Sequence, residues 1–473
     1  MTELWQRTAV ELAAGIRRRE HTATEALESV LARVDERNPH LNAITYDCRD
    51  AAWAEAAAAD AAVAAGAALG PLHGVPVTIK ENVDQAGTPN PNGVPALADL
   101  MASEDAPLVS NLRSAGAVIF GRTNTPEFSM RATTDNPLRG RTRNPWDDDA
   151  SPGGSSGGAG SACAAGMGPL HHGNDIGGSL RFPSFANGTT TVKPSSFRVP
   201  VFNATATAER PLLSATMSCQ GIIARTAADV RLATSVMIAP DARDPNHIPL
   251  PWDGPPLDGP ITVAVTTESN GYDMHPAMGD LVERSAEMLA DAGYHVVHVD
   301  PPSIVGPANE WFRAGVTEMS LSLGPAVTAH GSETIQQIFE WYYELGEILD
   351  RDAYLQSLGN RGRYLREWSL FLDEYPLLLT PFLLRPLYDW DADAQSFEEL
   401  KDLFDSSMYS CGTNYLGLPA GVFGVDLVEG RPAAVQIVGR RYREDLVVDA
   451  MDAVQERNGI LTDRLWSLEM PPT

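Results

Sequence analysis

The 473-residue sequence predicts an α/β protein, with a mixed, mostly parallel central β-sheet and helices on both faces. Short apolar runs of strand character recur at residues 74–80, 117–121, 261–266 and 295–299. Stretches with helical spacing at 105–115 and 276–293 fall between them, the alternation expected of strands joined by helical crossovers. The composition allows such a core, being 43% hydrophobic and 21% charged.

In chain order, residues 5–70 read as N-terminal helices. Segments 9–19 and 24–37 have amphipathic spacing, with Thr22 or Thr24 suited to cap the second. Residues 71–300 carry the strand signals. Within them, 151–178 turns to glycine, serine and alanine, a composition with two readings. It suits a flexible linker, and it equally suits backbone brought close to a ligand; residues 161–167 look helical. Residues 303–410 differ in being rich in large aromatics, among them Trp311, Phe339, Tyr342, Trp368, Phe382 and Tyr388, with helical packing expected. Residues 411–473 return to the core, and no internal repeat divides the chain, so a single domain over 1–473 is expected.

The net charge of −27 argues against nucleic acid, because an acidic surface has no cations with which to displace phosphate counterions. It disfavours anionic membranes too. Cys48, Cys163, Cys219 and Cys411 lie far apart without metal-site spacing, which points to a reduced, cytoplasmic protein. No apolar run is long enough for a signal peptide or a membrane span. No metal or cofactor is expected, and a monomer or homodimer is.

Of the 35 basic residues only Lys80, Lys193 and Lys401 are lysines. Lysine can give up its proton near neutral pH where arginine cannot. Lys80 closes the apolar segment Gly74-Val75-Pro76-Val77-Thr78-Ile79-Lys80, followed by Glu81 and Asn82. Two further segments stand out: Ser151-Pro152-Gly153-Gly154-Ser155-Ser156-Gly157-Gly158 and Gly173-Asn174-Asp175-Ile176-Gly177-Gly178-Ser179-Leu180-Arg181-Phe182-Pro183. Taken singly, each residue has an ordinary reading: Lys80 as a snorkelling lysine, Ser155 as a turn residue, Ser179 as a helix cap, Asp175 and Arg181 as an ion pair. The glycine-serine block also fits G-x-S-x-G, the nucleophile elbow of Ser-His-Asp hydrolases. That motif should follow an apolar strand, yet residues 147–152 precede it. None of His247, His275, His295, His298 and His330 has a compelling acid partner.

Together and in this order, the three segments resemble the amidase signature family. Residues 121–128, 142–146, 192–194, 223–229 and 435–439 add to the resemblance, which spans roughly 5–300 and 410–455. It implies a hydrolase of amide, and in some members carbamate, C–N bonds. Ser179 would be the nucleophile, Ser155 a bridging serine in a cis peptide after Gly154, and Lys80 the base. The backbone amides of Ile176, Gly177, Gly178 and Ser179 would form the oxyanion hole, with Asp175 and Arg181 in support and Lys193 structural. An amidotransferase A-type subunit is the alternative within the family. The chemistry is self-consistent: neutralising an ordinary lysine at pH 7 costs about 4.6 kcal/mol, a shift that burial can supply. Glu81, Asn187 and Thr191 depart from the family pattern and leave the substrate open, with aryl amides, oligoamides and carbamates all in range. Residues 303–410 and the loop after Lys193 are expected to shape the pocket.

Overall fold

The computed structural model describes residues 3–469. Its eleven strands are β1 (Ile44–Asp47), β2 (Pro76–Lys80), β3 (Val118–Thr123), β4 (Leu170–Asp175), β5 (Thr190–Lys193), β6 (Cys219–Ala224), β7 (Thr262–Val265), β8 (His295–His298), β9 (Leu377–Pro381), β10 (Ala420–Val428) and β11 (Arg431–Gly439). They form one sheet in the order β1-β3-β2-β4-β6-β5-β10-β11-β9-β7-β8. Every residue of β2, β3, β4, β5, β6 and β9 is buried. Successive side chains of a strand face opposite ways, so helices must cover both faces there.

The sheet is mixed, as expected, but the parallel share is smaller than the sequence suggested. Four neighbouring pairs are parallel and six antiparallel. The expected crossovers do give parallel pairs: β2 and β3 flank helix Pro107–Ser114, and β7 and β8 flank helix Pro276–Asp291. The balance shifts through strands that the apolar pattern did not reveal. Among them, β10 and β11 form a hairpin in which Val428 faces Arg431. Its two turn residues, Glu429 and Gly430, have φ of 53° and 83°, the left-handed pair that a two-residue hairpin turn requires.

The N-terminal helices run Ala9–Arg18, Ala23–Leu41 and Arg49–Ala64. Thr22 is the cap of the second, accepting from Glu25 N–H while the Glu25 carboxylate accepts from Thr22 N–H. The glycine-serine block is no linker: helix Gly157–Ala164 is buried at every residue. Residues 303–410 supply helices Val305–Ser322, Gly324–His330, Glu333–Gly346, Arg351–Glu374 and Phe397–Asp405, and also strand β9. Many of their aromatics are core. Trp311, Phe339, Tyr342 and Phe404 lie in one buried cluster, and the Phe382 ring meets those of Phe182 and Phe185 at 5.1 and 5.8 Å. Among the described residues no helix is long and apolar enough to cross a membrane.

Phe382→Ala should therefore destabilise the fold by about 3–5 kcal/mol, the cost of a cavity in a packed core. Thr22→Ala should cost about 1 kcal/mol, the value of a helix cap. Urea denaturation of both variants checks the ordering.

Candidate active site

Lys80 ends β2, the third strand of the sheet, and is fully buried. Its Nζ lies 2.8 Å from Ser155 Oγ, 3.0 Å from Ser156 Oγ and 2.8 Å from Asn174 Oδ1. Burial holds its pKa well below the ordinary lysine range; the field of Asp175 opposes that shift and that of Arg210 reinforces it. The three atoms around Nζ are two hydroxyls and an amide oxygen, all neutral. A neutral amine can donate to Asn174 and still offer a lone pair to a hydroxyl.

The Gly154–Ser155 peptide bond is cis. Gly154 has no room for a side chain, since a Cβ would lie 2.3 Å from the Arg131 carbonyl oxygen. Ser156 links the next segment: its N–H donates to the Ser179 carbonyl at 3.2 Å, and its Oγ accepts from Asn174 N–H at 3.4 Å. The glycine-serine loop is thereby held to β4 and to the turn that follows it.

Asp175, the last residue of β4, and Arg181 form a fully buried ion pair, with Nε to Oδ2 and Nη2 to Oδ1 both 3.0 Å. Nη1 also donates to Thr413 Oγ1 and Gln436 Oε1, and Nη2 shares its hydrogens with the Ser410 carbonyl and Asn414 Oδ1. Burial alone would raise the Asp175 pKa, but Arg181, helped by Lys193 and Asn414, outweighs it and holds the carboxyl down to about 2. The carboxylate also accepts from Gly178 N–H at 2.8 Å and Leu180 N–H at 3.2 Å. The ordinary reading of this pair as a loop support is thus the one the geometry favours.

The turn 176–179 is the open part of the cluster: Ile176, Gly177 and Ser179 are half-buried between buried Asp175 and Leu180. The amides of the turn differ in whether a protein group already accepts from them. The Gly178 N–H is taken by Asp175 Oδ1, and Gly178 itself has φ of 125°, in the left-handed region that favours glycine. Among the described residues, nothing accepts the N–H groups of Ile176, Gly177 and Ser179.

Among the described residues no histidine completes a Ser-His-Asp arrangement. His298 pairs with Glu283 and His275 with Glu429. His172, nearest to Lys80, accepts from the Lys80 backbone N–H at 3.4 Å and meets Gln220 at 3.0 Å; burial pushes its pKa down to about 3. Lys193 is buried and donates to the Pro194 carbonyl at 3.0 Å, a structural bond, while Lys401 lies in an exposed pair with Asp405. The residues that depart from the family pattern brace the scaffold. Asn187 donates to the Pro152 and Pro183 carbonyls at 2.8 Å, Thr191 to the Ile222 carbonyl at 2.7 Å, and buried Glu81 pairs with Arg139 at 2.9 Å.

Sequence reasoning missed Ser156, Asn174, Ser410 and Asn414. The first two stood inside the segments already singled out, so their placement beside Ser155 and Asp175 was the available signal. Trp311 stood in the aromatic-rich stretch expected to shape the pocket, without its bond to the turn being legible, while Ser410 and Asn414 arrive from more than 220 residues away and carried no signal.

The amidase family model matches residues 25–448. An indoleacetamide hydrolase of Bradyrhizobium diazoefficiens is 46% identical over 464 residues, 98% of this chain and 88% of that protein. An acylamidase of Rhodococcus erythropolis is 31% identical over 93% of each chain. A bacterial aryl acylamidase of the amidase signature family has a structure that superposes with a TM-score of 0.83, at 25% identity and 99% coverage of both chains. The chain belongs to the amidase signature family, the fold and the three ordered segments having already pointed there. It is an amide-hydrolysing enzyme.

Asp175 makes a testable contribution to stability. Its depressed pKa stabilises the fold above the ordinary carboxylate value, and the effect is lost as pH falls toward about 2. A drop from 3.8 to about 2 corresponds to roughly 2 kcal/mol. Asp175→Asn should abolish that acid-side dependence and, by leaving Arg181 unpaired, cost about 3–5 kcal/mol at neutral pH. Urea unfolding between pH 3 and 7 reads both effects.

Proposed function

We propose that this enzyme hydrolyses carboxamides through an acyl-enzyme on Ser179, with Ser155 and neutral Lys80 moving the proton. The observation that carries the reading is the 2.8 Å contact between Lys80 Nζ and Ser155 Oγ at a fully buried site. Burial of that amine supports a free lone pair at working pH, and a serine hydroxyl needs a base close by to become a nucleophile.

In this mechanism the substrate carbonyl enters beside Ser179, the half-buried residue of the turn. Ser179 Oγ attacks the acyl carbon while its proton passes to Ser155, whose own proton passes to Lys80. The oxyanion is met by backbone N–H groups of the turn, drawn from Ile176, Gly177 and Ser179, with Gly178 committed to Asp175. Each such donor is worth roughly 3 kcal/mol in the transition state. The lysine proton returns through Ser155 to the leaving nitrogen, the C–N bond breaks, and ammonia or an amine departs. Water then attacks the ester, giving its proton to the same relay, and Ser179 and a carboxylic acid are released.

The substrate we infer is a primary amide of an aryl-bearing acid, of the kind named for the indoleacetamide hydrolase that shares 46% of its aligned residues. Aryl amides and aryl carbamates form the second tier. Residues 303–410 contribute one wall of the pocket, with Trp311 already against the turn. We further place the enzyme in a reducing, cytoplasmic setting, supported by four free and buried cysteines, and expect a monomer or homodimer.

Ser179→Ala should lower kcat/KM by at least about 10³-fold with the melting temperature preserved. Retention of activity would sink the nucleophile assignment. Ser155→Ala should lose less, since water can stand in for the bridging hydroxyl.

Lys80→Arg should be as inactive as Lys80→Ala, because a guanidinium stays charged. With its pKa lowered, Lys80 is charged only on the acid side, so kcat/KM should climb with pH as the amine loses its proton and then level. A flat acid limb, or an active arginine variant, rejects the proton-accepting role. A panel of arylacetamides, p-nitroanilides, aryl carbamates and glutamine reads the substrate class. Preference for glutamine would favour the amidotransferase alternative.

A further inference from the structure

We propose that Trp311 is a positioning residue for amide hydrolysis, acting through the peptide group between Ile176 and Gly177. The proposal rests on the acyl-enzyme reading above and names what aims one of its oxyanion donors.

Trp311 lies on helix Val305–Ser322, buried against Phe312 and Phe404. Its Nε1–H donates to the Ile176 carbonyl at 2.7 Å. The indole is pressed onto the turn so closely that a Cβ at Gly177 would fall 2.5 Å from Trp311 Cζ2. The missing side chain and the large ring therefore require each other.

A trans peptide points its C=O and N–H in opposite directions. The one cis peptide among the described residues is Gly154–Ser155, so the rule holds at 176–177. Fixing the Ile176 carbonyl on the indole turns the Gly177 N–H away from the aromatic cluster. No group among the described residues accepts that N–H, and Gly177 is half-buried, so it is open to a ligand.

The next peptide shows the same device with both ends occupied. Ser410 Oγ donates to the Gly177 carbonyl at 3.0 Å, and the Gly178 N–H donates to Asp175 Oδ1 at 2.8 Å. Of the two peptide groups, one is gripped at both ends and the other at its carbonyl alone. The free end of the second is the donor left for a substrate oxygen. Its direction is set from a helix more than 130 residues away in the chain.

The test compares aryl esters with their thionoester counterparts in wild type, Trp311→Phe, Trp311→His and Ser179→Ala. Sulfur accepts hydrogen bonds weakly, so a working oxyanion donor enlarges the oxo-over-thiono rate ratio. Trp311→Phe keeps an apolar ring and removes the N–H. It should lower kcat on oxo substrates about 10- to 100-fold, somewhat less than loss of a whole donor, with KM little changed and the oxo preference shrinking. Trp311→His restores a ring N–H at a similar reach and should recover part of that preference. An unchanged oxo-to-thiono ratio in Trp311→Phe, an effect on KM alone, or a histidine variant no better than phenylalanine overturns the assignment. If Trp311→Phe does not fold, the histidine variant alone decides, because its ratio must stay nearer wild type than to the uncatalysed reaction. Activity surviving in Ser179→Ala would remove the acyl-enzyme reading and this proposal with it. An inactive Ser179→Ala beside an unchanged ratio in Trp311→Phe removes the Trp311 role only.

Discussion

An amine buried without an ionised partner in bonding distance is the constraint around which the rest of this molecule is arranged. Taking a lysine ammonium from water into a packed interior is costly, and proteins relieve the cost by releasing the proton. Lys80 is surrounded by two hydroxyls and an amide oxygen, groups that can satisfy a neutral amine without drawing a proton onto it. A bonded carboxylate would do the opposite. The strand that delivers Lys80 must therefore be covered on both faces, and β2 is buried along its whole length.

Asp175, the carboxylate whose field reaches Lys80, is kept from undoing this arrangement. Asn174 and Asp175 are adjacent at the end of β4, and strand geometry sends their side chains to opposite faces. Asn174 meets Lys80, while Asp175 turns to Arg181. There Arg181, Asn414 and two backbone amides occupy the Asp175 oxygens. Its charge is balanced by a fully bonded guanidinium instead of by the lysine. A buried ion pair is weak support for stability by itself; here it fixes the turn after β4 and leaves Lys80 with neutral neighbours.

The parts legible in the sequence were those with a local signature. Lys80 stood out because lysine is rare here and because it closes an apolar strand; Asp175, Arg181 and Ser155 stood in ordered segments. The capping box at Thr22 and the crossovers giving β2–β3 and β7–β8 follow local rules as well. β4 was invisible because Leu170-His171-His172-Gly173-Asn174-Asp175 is mostly polar, and its burial is made possible by partners such as Thr78 and Gln220. The glycine-serine stretch was ambiguous for the converse reason: its composition matches a linker, and only the surrounding core makes it a buried helix. The parallel bias was overestimated because each of the six antiparallel pairs includes a strand outside the four apolar runs from which crossovers were read.

The late helices show why the aromatic-rich region could not be assigned from composition. Most of its rings fill a second core, as aromatics in any helical layer would. Yet three successive carbonyls of the turn receive hydrogen bonds from this side: that of Asp175 from Asn414 at 3.5 Å, that of Ile176 from Trp311 at 2.7 Å, and that of Gly177 from Ser410 at 3.0 Å. An oxyanion-binding turn, the role proposed for residues 176–179, needs donors fixed before the substrate arrives, since reorientation during reaction would consume the stabilisation they offer. A glycine-rich turn cannot hold itself, because the freedom that lets its amides face outward also lets them wander. Rigidity has to be imported, and the packed core formed by residues 305–416 is where it comes from. On the proposed mechanism, packing and catalysis are thus not competing uses for these side chains: Trp311 can hold the Ile176 carbonyl in one direction only because its ring is immobilised among Phe312 and Phe404.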